Sequence, residues 1–493
     1  MIALRHLILT ALLLLAGPAL ATDRVALVIG QATYRHIATL DNTTKDADLI
    51  ARTLTDIGFE VTQVTDAGYQ DLREALDRFA FRSETADLAL VYYAGHGVEV
   101  QGINYLIPVD ADVKSYADVQ RQSVSLNDLL AAVDRARVMR IVILDSCRDN
   151  PFGDTLGPST ETGTTGTVAA GGGGLAPPSP DRGTLVAFAA RDGQVALDGL
   201  AGNSPFAVAL SDKMRIPGLE ISLMFRQVRD AVLDATLNQQ EPNTYGSLSG
   251  VPFYLAGPGE GQTDPAADAR VAWAQVRPEQ EAQLAALADL GDTRSMLGLA
   301  QMRLNPEAKT FDPKQAFALL TRAADAGSPE AQFELAKLYE QGIGTEPDPA
   351  KALALYQQAA DQDYADAIND LGFLHYQGGL GLPPDPERAL KFFERAANLR
   401  HPQALFNFAA LIDDGRIPGK GSAESAGYLY DALRSGSKDV LDLLSEKPNM
   451  FSLDTRKALQ NRLSDQGFYS GALDGAFGPG TVKALRLAFG LKV

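Results

Sequence analysis

The first half of the chain alternates short apolar runs with segments of helical spacing, and this alternation restricts its fold more than any other feature. The apolar runs predict strands at residues 24–29, 60–64, 88–93, 138–144, 184–189 and 251–255. Between them, apolar residues at helical spacing predict helices near 46–57, 72–79 and 125–136, then from 204 and over 222–237. Such alternation predicts an α/β fold with a mainly parallel sheet covered on both faces.

Two of the predicted strands end beside side chains that could do chemistry. The strand at 88–93 runs into Ala94-Gly95-His96-Gly97, and the strand at 138–144 runs into Asp145-Ser146-Cys147. Reactive residues of open parallel sheets gather beyond the carboxyl ends of the strands. Cys147 is the only cysteine of the chain, so no internal disulfide can form. The pattern favours a thiol nucleophile and its base; a small buried cysteine and a histidine in a tight turn are the structural alternatives.

The N-terminus has the features of a secretory signal. Arg5 and His6 precede an apolar stretch at 7–16, and Ala19-Leu20-Ala21 offers a small-residue cleavage site before Thr22. No later stretch of about 20 apolar residues predicts a membrane span. We therefore expect a soluble, exported protein, periplasmic or secreted. The formal net charge of −18 argues against a nucleic-acid partner, because phosphates would be repelled.

Two segments rich in glycine and proline interrupt the chain. Residues 152–182 include four consecutive glycines at 171–174 and cannot bury enough apolar surface to order themselves. This segment is either a surface insertion or a processing linker. Residues 257–265 form a second such segment, which predicts a linker between domains.

Beyond that linker a helix-pair motif repeats. Segments that begin at Ser295, Ala331, Ala367 and Ala404 align with offsets of 36, 36 and 37 residues. A period of this length predicts helix pairs stacked into a solenoid, whose concave face could bind a protein partner. The motifs resemble Sel-type repeats, relatives of the tetratricopeptide repeats, over about residues 280–435.

The last 45 residues resemble a small three-helix peptidoglycan-binding domain. The resemblance lies in Leu459-Gln460, Gly467-Phe468-Tyr469 and Asp474-Gly475-Ala476-Phe477-Gly478. It implies peptidoglycan as a ligand, although the glycines are turn residues that support the fold more than the binding. The terminal Leu487-Ala488-Phe489-Gly490 lacks the aromatic-Gln pair that is usual in this family.

The first domain resembles the caspase and metacaspase cysteine peptidases, in their bacterial caspase-like branch. The motifs that carry the resemblance are Arg24-Val25-Ala26-Leu27-Val28-Ile29-Gly30, Tyr92-Tyr93-Ala94-Gly95-His96-Gly97, Asp145-Ser146-Cys147-Arg148 and Asn203-Ser204-Pro205-Phe206. The resemblance implies a three-layer α/β sandwich around a mainly parallel six-stranded sheet. The predicted organisation is a signal at 1–21, a caspase-like domain at 22–256, a linker at 257–275, helical repeats at 276–440 and a peptidoglycan-binding-like domain at 450–493.

The resemblance also implies the catalytic roles. Cys147 would attack the peptide carbonyl, and His96 would protonate the leaving amine. The backbone N–H groups of Gly97 and Cys147 would form the oxyanion hole. No cofactor and no metal is expected, and Arg148-Asp149-Asn150-Pro151 after the cysteine gives no reason to expect calcium dependence.

Acidic residues at three positions predict the specificity. Metacaspases that cut after Arg or Lys carry acids in the substrate pocket, and Asp46 and Asp145 match those positions. Asp198 falls near the place where caspases that cut after Asp carry an arginine. The alternatives are a helix N-terminal carboxylate for Asp46 and a solvated strand end for Asp145. An enzyme that cuts after basic residues could clip its own 152–182 segment only after Arg182.

Our first hypothesis is therefore a cysteine endopeptidase that cuts proteins or peptides after Arg or Lys with a His–Cys dyad. The second is a non-catalytic caspase-like scaffold, or interaction module, at the cell wall. A third is a peptidase that remodels the peptides of the wall itself.

Overall fold

The structure, a computed structural model, describes residues 23–146, 152, 183–191, 194, 196–198, 202–246, 248, 251–258, 273, 276 and 278–491. Eighteen α-helices and nine strands lie within these ranges. The predicted signal, Cys147 and Arg182 lie outside the described residues.

A mainly parallel six-stranded sheet forms the centre of the first domain, as predicted. The strands are β1 (Arg24–Gly30), β2 (Glu60–Thr65), β3 (Leu88–Ala94), β7 (Met139–Asp145), β8 (Thr184–Phe188) and β9 (Asn243–Gly246). Their order in the sheet is β2-β1-β3-β7-β8-β9, and only the last strand is antiparallel to its neighbour. Strands β3 and β7 are buried along nearly their whole length, because helices cover both faces of the sheet.

Alternate residues of the strands feed two separate cores. On one face, Leu90 and its neighbours pack with α1 (Thr43–Asp56), α5 (Pro205–Met214) and α6 (Ile221–Ala235). On the other face, Val91 and its neighbours pack with α2 (Tyr69–Ser83) and α4 (Leu126–Val133). The period of two along each strand sends successive side chains to opposite faces. Three layers result, as expected.

A second, three-stranded sheet begins directly after His96. It consists of β4 (Gly97–Val100), β5 (Ile103–Leu106) and β6 (Val124–Ser125), with α3 (Tyr116–Gln122) between the last two. The sequence interpretation missed this sheet because its strands have only two to four residues.

The prediction of the sixth strand at 251–255 was wrong. The antiparallel edge strand is β9, which pairs with β8 in the register Leu185↔Gly246 to Phe188↔Asn243. Its short polar sequence, half exposed, gives a weak strand signal. The apolar residues Phe253, Tyr254 and Leu255 are instead buried beside α6, and only Tyr254 forms an isolated bridge, to Glu220.

Helix pairs follow in the second half of the chain, as the repeat predicted. They are α7 (Pro278–Asp289), α8 (Thr293–Leu304), α9 (Pro313–Asp325), α10 (Pro329–Gln341), α11 (Pro349–Asp361), α12 (Ala365–Gln377), α13 (Pro386–Asn398), α14 (Pro402–Asp413), α15 (Ser422–Arg434) and α16 (Lys438–Glu446). A short 3₁₀ turn (Pro448–Met450) leads to α17 (Leu453–Asp465) and α18 (Pro479–Phe489). Within the described part of the chain, no helix is both long and apolar enough to cross a membrane.

Candidate active site

The site begins where β3 and β7 end side by side. The two strands are parallel neighbours, and their register pairs Ala94 with Asp145. The amide of Gly95 donates to the carbonyl of Asp145 at 3.3 Å, which continues the pairing one residue further. His96 and Cys147 each follow two residues after this matched pair. Cys147 itself lies outside the described residues, but Ser146, directly before it, is described.

Ser146 shows where the cysteine segment starts relative to the histidine turn. A Cβ placed on Gly97 would lie 3.3 Å from the Ser146 hydroxyl oxygen. Ser146 is buried, and its hydroxyl has no hydrogen-bond partner among the described residues. The chain therefore enters the cysteine segment in contact with the predicted oxyanion-hole residue Gly97.

The histidine turn is held by two tyrosines. The backbone amide of His96 donates to the Tyr34 hydroxyl at 2.8 Å, and the Tyr93 hydroxyl donates to the His96 carbonyl at 2.8 Å. A Cβ on Gly95 would lie 2.7 Å from both hydroxyl oxygens, so a larger residue does not fit there. The Tyr34 and His96 rings also contact each other, with centroids 4.7 Å apart.

The hydrogen bond of the His96 ring determines which of its nitrogens is basic. Nε2 lies 2.9 Å from the carbonyl oxygen of Ala38, and a carbonyl can only accept, so Nε2 carries the proton. The lone pair of the neutral ring is then on Nδ1. Burial lowers the pKa of His96, an effect that the Ala38 carbonyl and the negative charge of Asp198 partly offset. The ring is therefore neutral at neutral pH and can accept a proton.

Asp46 and Asp145 are both buried and share one partner, Ser204. Asp46 Oδ1 accepts from the Asn203 amide at 2.8 Å and from the Ser204 backbone N–H at 2.9 Å. Asp145 Oδ2 accepts from the Ser204 hydroxyl at 2.8 Å and from the Tyr92 hydroxyl at 3.0 Å. Because Asp145 is only 7% exposed, the solvated strand end weighed for it is wrong.

These carboxyls hold protons more tightly than free ones. Burial and the nearby charges of Asp46 and Asp198 together raise the pKa of Asp145 to about 7, against the hydrogen bonds from Ser204 and Tyr92. Burial also raises the pKa of Asp46, against the hydrogen bonds from Asn203 and Ser204. The pKa of Asp198 is raised by burial, an effect that His96 opposes. Like charges in one poorly solvated place disfavour full ionisation of them all.

All three predicted pocket acids line one small cavity. Its walls include Leu40, Asp46, Asp145, Asp198 and Ser204, and its volume is about 10 Å³, space for roughly one water. A much larger cavity of about 570 Å³ lies between α2 and the beginnings of β1 and β2, away from His96. The small cavity is the candidate site, because it brings three carboxyls together beside Gly95 of the histidine turn. On the wall of the large cavity, Glu60 is paired with Arg82.

Ser204 belongs to one of the motifs that carry the resemblance, but the sequence interpretation gave it no role in the site. Ser204 is the N-cap of α5, and its hydroxyl accepts from the Ala207 amide while it donates to Asp145. The Ser-Pro pair at a helix start was the available signal for the cap. Its second bond could not be foreseen, because it crosses 59 residues of sequence.

The buried carboxyl of Asp145 gives a pH-dependent contribution to stability. Its pKa is about 7 in the folded protein and about 3.8, the value of a free aspartate side chain, when unfolded. At a pH between these two pKa values, the folded state binds one proton more than the unfolded state. The free energy of unfolding therefore falls as the pH rises from about 4 to about 7. We expect Asp145→Asn to remove this loss, because the amide oxygen can still accept but does not titrate. Urea unfolding midpoints across this pH range measure the effect.

The matched control is Asp56→Asn, at a carboxylate whose side chain is 62% exposed. It should leave the pH dependence of the wild type intact. Identical slopes for the wild type and Asp145→Asn would contradict the buried, protonated state of Asp145.

Comparison with known families gives three matches in chain order. Residues 23–253 match the caspase domain model. Residues 293–328, 329–364 and 365–401 match the Sel1 repeat model. Residues 452–488 match the peptidoglycan binding domain model.

Individual relatives cover the chain only in part. Human mucosa-associated lymphoid tissue lymphoma translocation protein 1 is 32% identical over 138 residues, which are 28% of this chain and 16% of that protein. Caspase-1 of Felis catus is 28% identical over 137 residues, 27% of this chain and 32% of that protein.

Two solved structures are also similar. Caspase-1 from Spodoptera frugiperda has a TM-score of 0.35 at 18% identity and covers 49% of this chain and 93% of its own. A Sel1 repeat protein from Oxalobacter formigenes has a TM-score of 0.33 at 20% identity, covering 45% and 59%. Together, the family matches and the three-layer α/β sheet identify a caspase domain with a peptidase fold, followed by Sel1 repeats and a C-terminal domain of the peptidoglycan-binding type.

Proposed function

We propose that this protein is a cysteine endopeptidase that uses His96 and Cys147 to hydrolyse peptide bonds after Arg or Lys. One observation carries the proposal: β3 and β7 pair in the register Ala94↔Asp145, and the chain continues with Gly97 against Ser146. This arrangement supports a histidine and a cysteine that leave neighbouring strands at the same level. The alternative, a non-catalytic scaffold, has no use for a neutral histidine with a basic Nδ1 or for the single cysteine of the chain.

The proposed reaction needs few groups. Nδ1 of His96 takes the thiol proton, and the thiolate sulfur of Cys147 attacks the carbonyl carbon of the substrate. The backbone N–H groups of Gly97 and Cys147 stabilise the oxyanion, and His96 then protonates the leaving amine. Water hydrolyses the thioester with His96 as general base. Loss of one oxyanion donor typically costs about 3–4 kcal/mol of transition-state stabilisation.

The dyad predicts a sharp distinction between two histidines. We expect Cys147→Ala and His96→Gln each to lower kcat/KM by roughly 10³-fold or more, because nucleophile and base act as a unit. His36→Gln is the matched control, because His36 is exposed and lies in the same domain. Hydrolysis of fluorogenic peptides under reducing conditions measures the effect. Activity that survives Cys147→Ala would contradict the proposal, and an inactive wild type would favour the scaffold.

The carboxyls of Asp46, Asp145 and Asp198 support specificity for a cationic side chain. A guanidinium would find carboxylate oxygens suited to charge-assisted hydrogen bonds. The cavity must enlarge before such a group can enter, because it holds only about one water. The Asn42 amide donates to the Asp198 carbonyl at 2.8 Å and fixes one wall. Opening of this wall by the substrate is therefore part of the proposal.

Specificity can be tested with two carboxylates of one helix. We expect Asp46→Asn to lower kcat/KM for Arg and Lys peptides roughly tenfold to hundredfold, the scale of a hydrogen bond to a charged group. Asp48→Asn is the control, since Asp48 is exposed on the same helix. Activity on basic peptides should also rise as the pH passes through about 7, where Asp145 ionises. Preferential cleavage after Asp would overturn the pocket assignment and leave the peptidase intact.

We further propose Arg182 as the processing point. Gly183, the next residue, is buried, and its carbonyl accepts from the Arg140 amide at 2.9 Å. The bond must therefore be exposed by local opening, so we expect slow processing. N-terminal sequencing should find a fragment that begins at Gly183 in the wild type and not in Arg182→Gln or Cys147→Ala. The same fragment in Cys147→Ala would show that another protease makes it.

The remaining domains support a location and partners. Residues 1–21 would direct export, and the C-terminal domain would bind peptidoglycan and keep the enzyme at the wall. The repeats would hold a protein partner.

A further inference from the structure

The last helix pair of the solenoid departs from the repeat at one buried position. The second helices of four successive units end at Asp325, Asp361, Asn398 and Arg434. The first three of these residues are exposed, whereas Arg434 is only 3% exposed. A buried arginine thus replaces an exposed Asp or Asn only in the last of these four units.

The guanidinium of Arg434 joins three separate parts of the chain. Nε donates to the Glu84 carboxylate at 3.0 Å, and Nη2 donates to the Phe81 carbonyl at 3.1 Å. Both partners belong to the caspase domain, at the end of α2. Nη1 donates to the carbonyl of Ala488 in α18 at 3.0 Å. A charge this deeply buried is tolerated only when it is paired and hydrogen-bonded, as it is here.

A second arginine makes the reciprocal contact from the caspase domain. Arg137 donates to the carbonyl of Arg434 at 3.0 Å and also to the carbonyl of Phe489. Two glycines allow this close approach. A Cβ on Gly436 would lie 2.7 Å from Arg137 Nε, and one on Gly490 would lie 2.9 Å from the Thr85 Cβ.

The other end of the solenoid is fixed by the same chemistry. Arg294, at the start of α8, contacts Glu220 at 2.6 Å, and the side chain of Glu220 is 0% exposed. The Gln280 amide of α7 donates to the Gly218 carbonyl at 2.9 Å. Both acidic partners are buried residues of the caspase domain. Glu84 is at the C-terminal end of α2, and Glu220 is at the N-terminal end of α6.

We propose that residues 278–491, the repeats together with the C-terminal domain, form one rigid body that is fixed to the caspase domain at both ends. We call this body the bracket. Arg434 fixes its C-terminal end. A terminal unit of a free solenoid presents a polar outer face to water. Here the last unit instead buries an arginine whose partners lie in the caspase domain and in α18. Charge complementarity at both ends, Arg434 with Glu84 and Arg294 with Glu220, identifies the caspase domain as the occupant of these surfaces.

The loop at residues 471–474 of the C-terminal domain, which we call the candidate wall-binding loop, stays accessible in the bracket. Within the peptidoglycan-binding pattern, Phe468 stacks on Phe81 in the contact, with ring centroids 6.5 Å apart. Gly471, Leu473 and Asp474 are exposed. A ligand on this loop would therefore find the caspase domain at a fixed position, and not on a loose tether. This last consequence rests on the proposed wall binding, whereas the bracket does not.

The test uses the full chain in a Cys147→Ala background, which prevents self-cleavage. The earlier units fold without an arginine at this position, so the solenoid itself should stay folded in Arg434→Ala. Arg395→Ala is the matched control, because Arg395 contacts only the carbonyl of Ala360 and Asp363 in its described hydrogen bonds. A third variant, Thr85→Arg, inserts a bulky side chain opposite Gly490 from the caspase side.

Small-angle X-ray scattering and hydrogen exchange measure whether the bracket stays docked on the caspase domain. We expect a larger maximum dimension for Arg434→Ala and Thr85→Arg, with unchanged helical circular dichroism. Exchange in peptides covering 81–87 and 484–491 should become about tenfold faster. Arg395→Ala should match the parent in scattering and at these two peptides. Scattering and exchange that stay unchanged in both Arg434→Ala and Thr85→Arg would overturn the proposal, whatever the outcome of peptidase or wall-binding assays.

Discussion

The parallel pairing of β3 with β7 is the constraint on which the rest of the site depends. Both strands are buried in the middle of the sheet, where neighbouring strands and helices on both faces fix their register. A shift by one residue would turn every side chain to the opposite core. The same register that separates the two cores therefore aligns Ala94 with Asp145, and so brings the histidine turn beside the start of the cysteine segment.

Burial creates the unusual electrostatics of the site. Asp46 and Asp145 come from different elements, yet the N-cap Ser204 binds both, through its backbone N–H and its hydroxyl respectively. A helix cap thus also organises a pair of acids. Because one of them keeps its proton up to about pH 7, the pair carries less charge than two free carboxylates. A cationic ligand would lower the pKa of these two carboxyls, since its positive charge favours their ionised form.

Buried arginines connect the domains in a comparable way. Arg294 and Arg434 stand near the first and last described units of the solenoid, and each has a buried glutamate of the caspase domain as its partner. Ion pairs of this kind contribute little net stability compared with apolar packing, but they are costly to break and select one arrangement of the parts. Specific docking, more than added stability, is what such contacts supply between a domain and a solenoid.

The sequence by itself determined the alternation of strands and helices, the period of the repeats and the two strand ends that lead to His96 and Cys147, because hydrophobic spacing and chain order carry that information. It also predicted Asp46, Asp145 and Asp198 as acids of a substrate pocket, and the three residues line one cavity. Only the tertiary structure decided that β9 and not 251–255 forms the sheet edge, that Ser204 joins two carboxyls, and that Arg434 reaches Glu84 across 350 residues. Those contacts are long-range, and local patterns hold no record of them, since a polar residue chooses its partner only after the chain has packed.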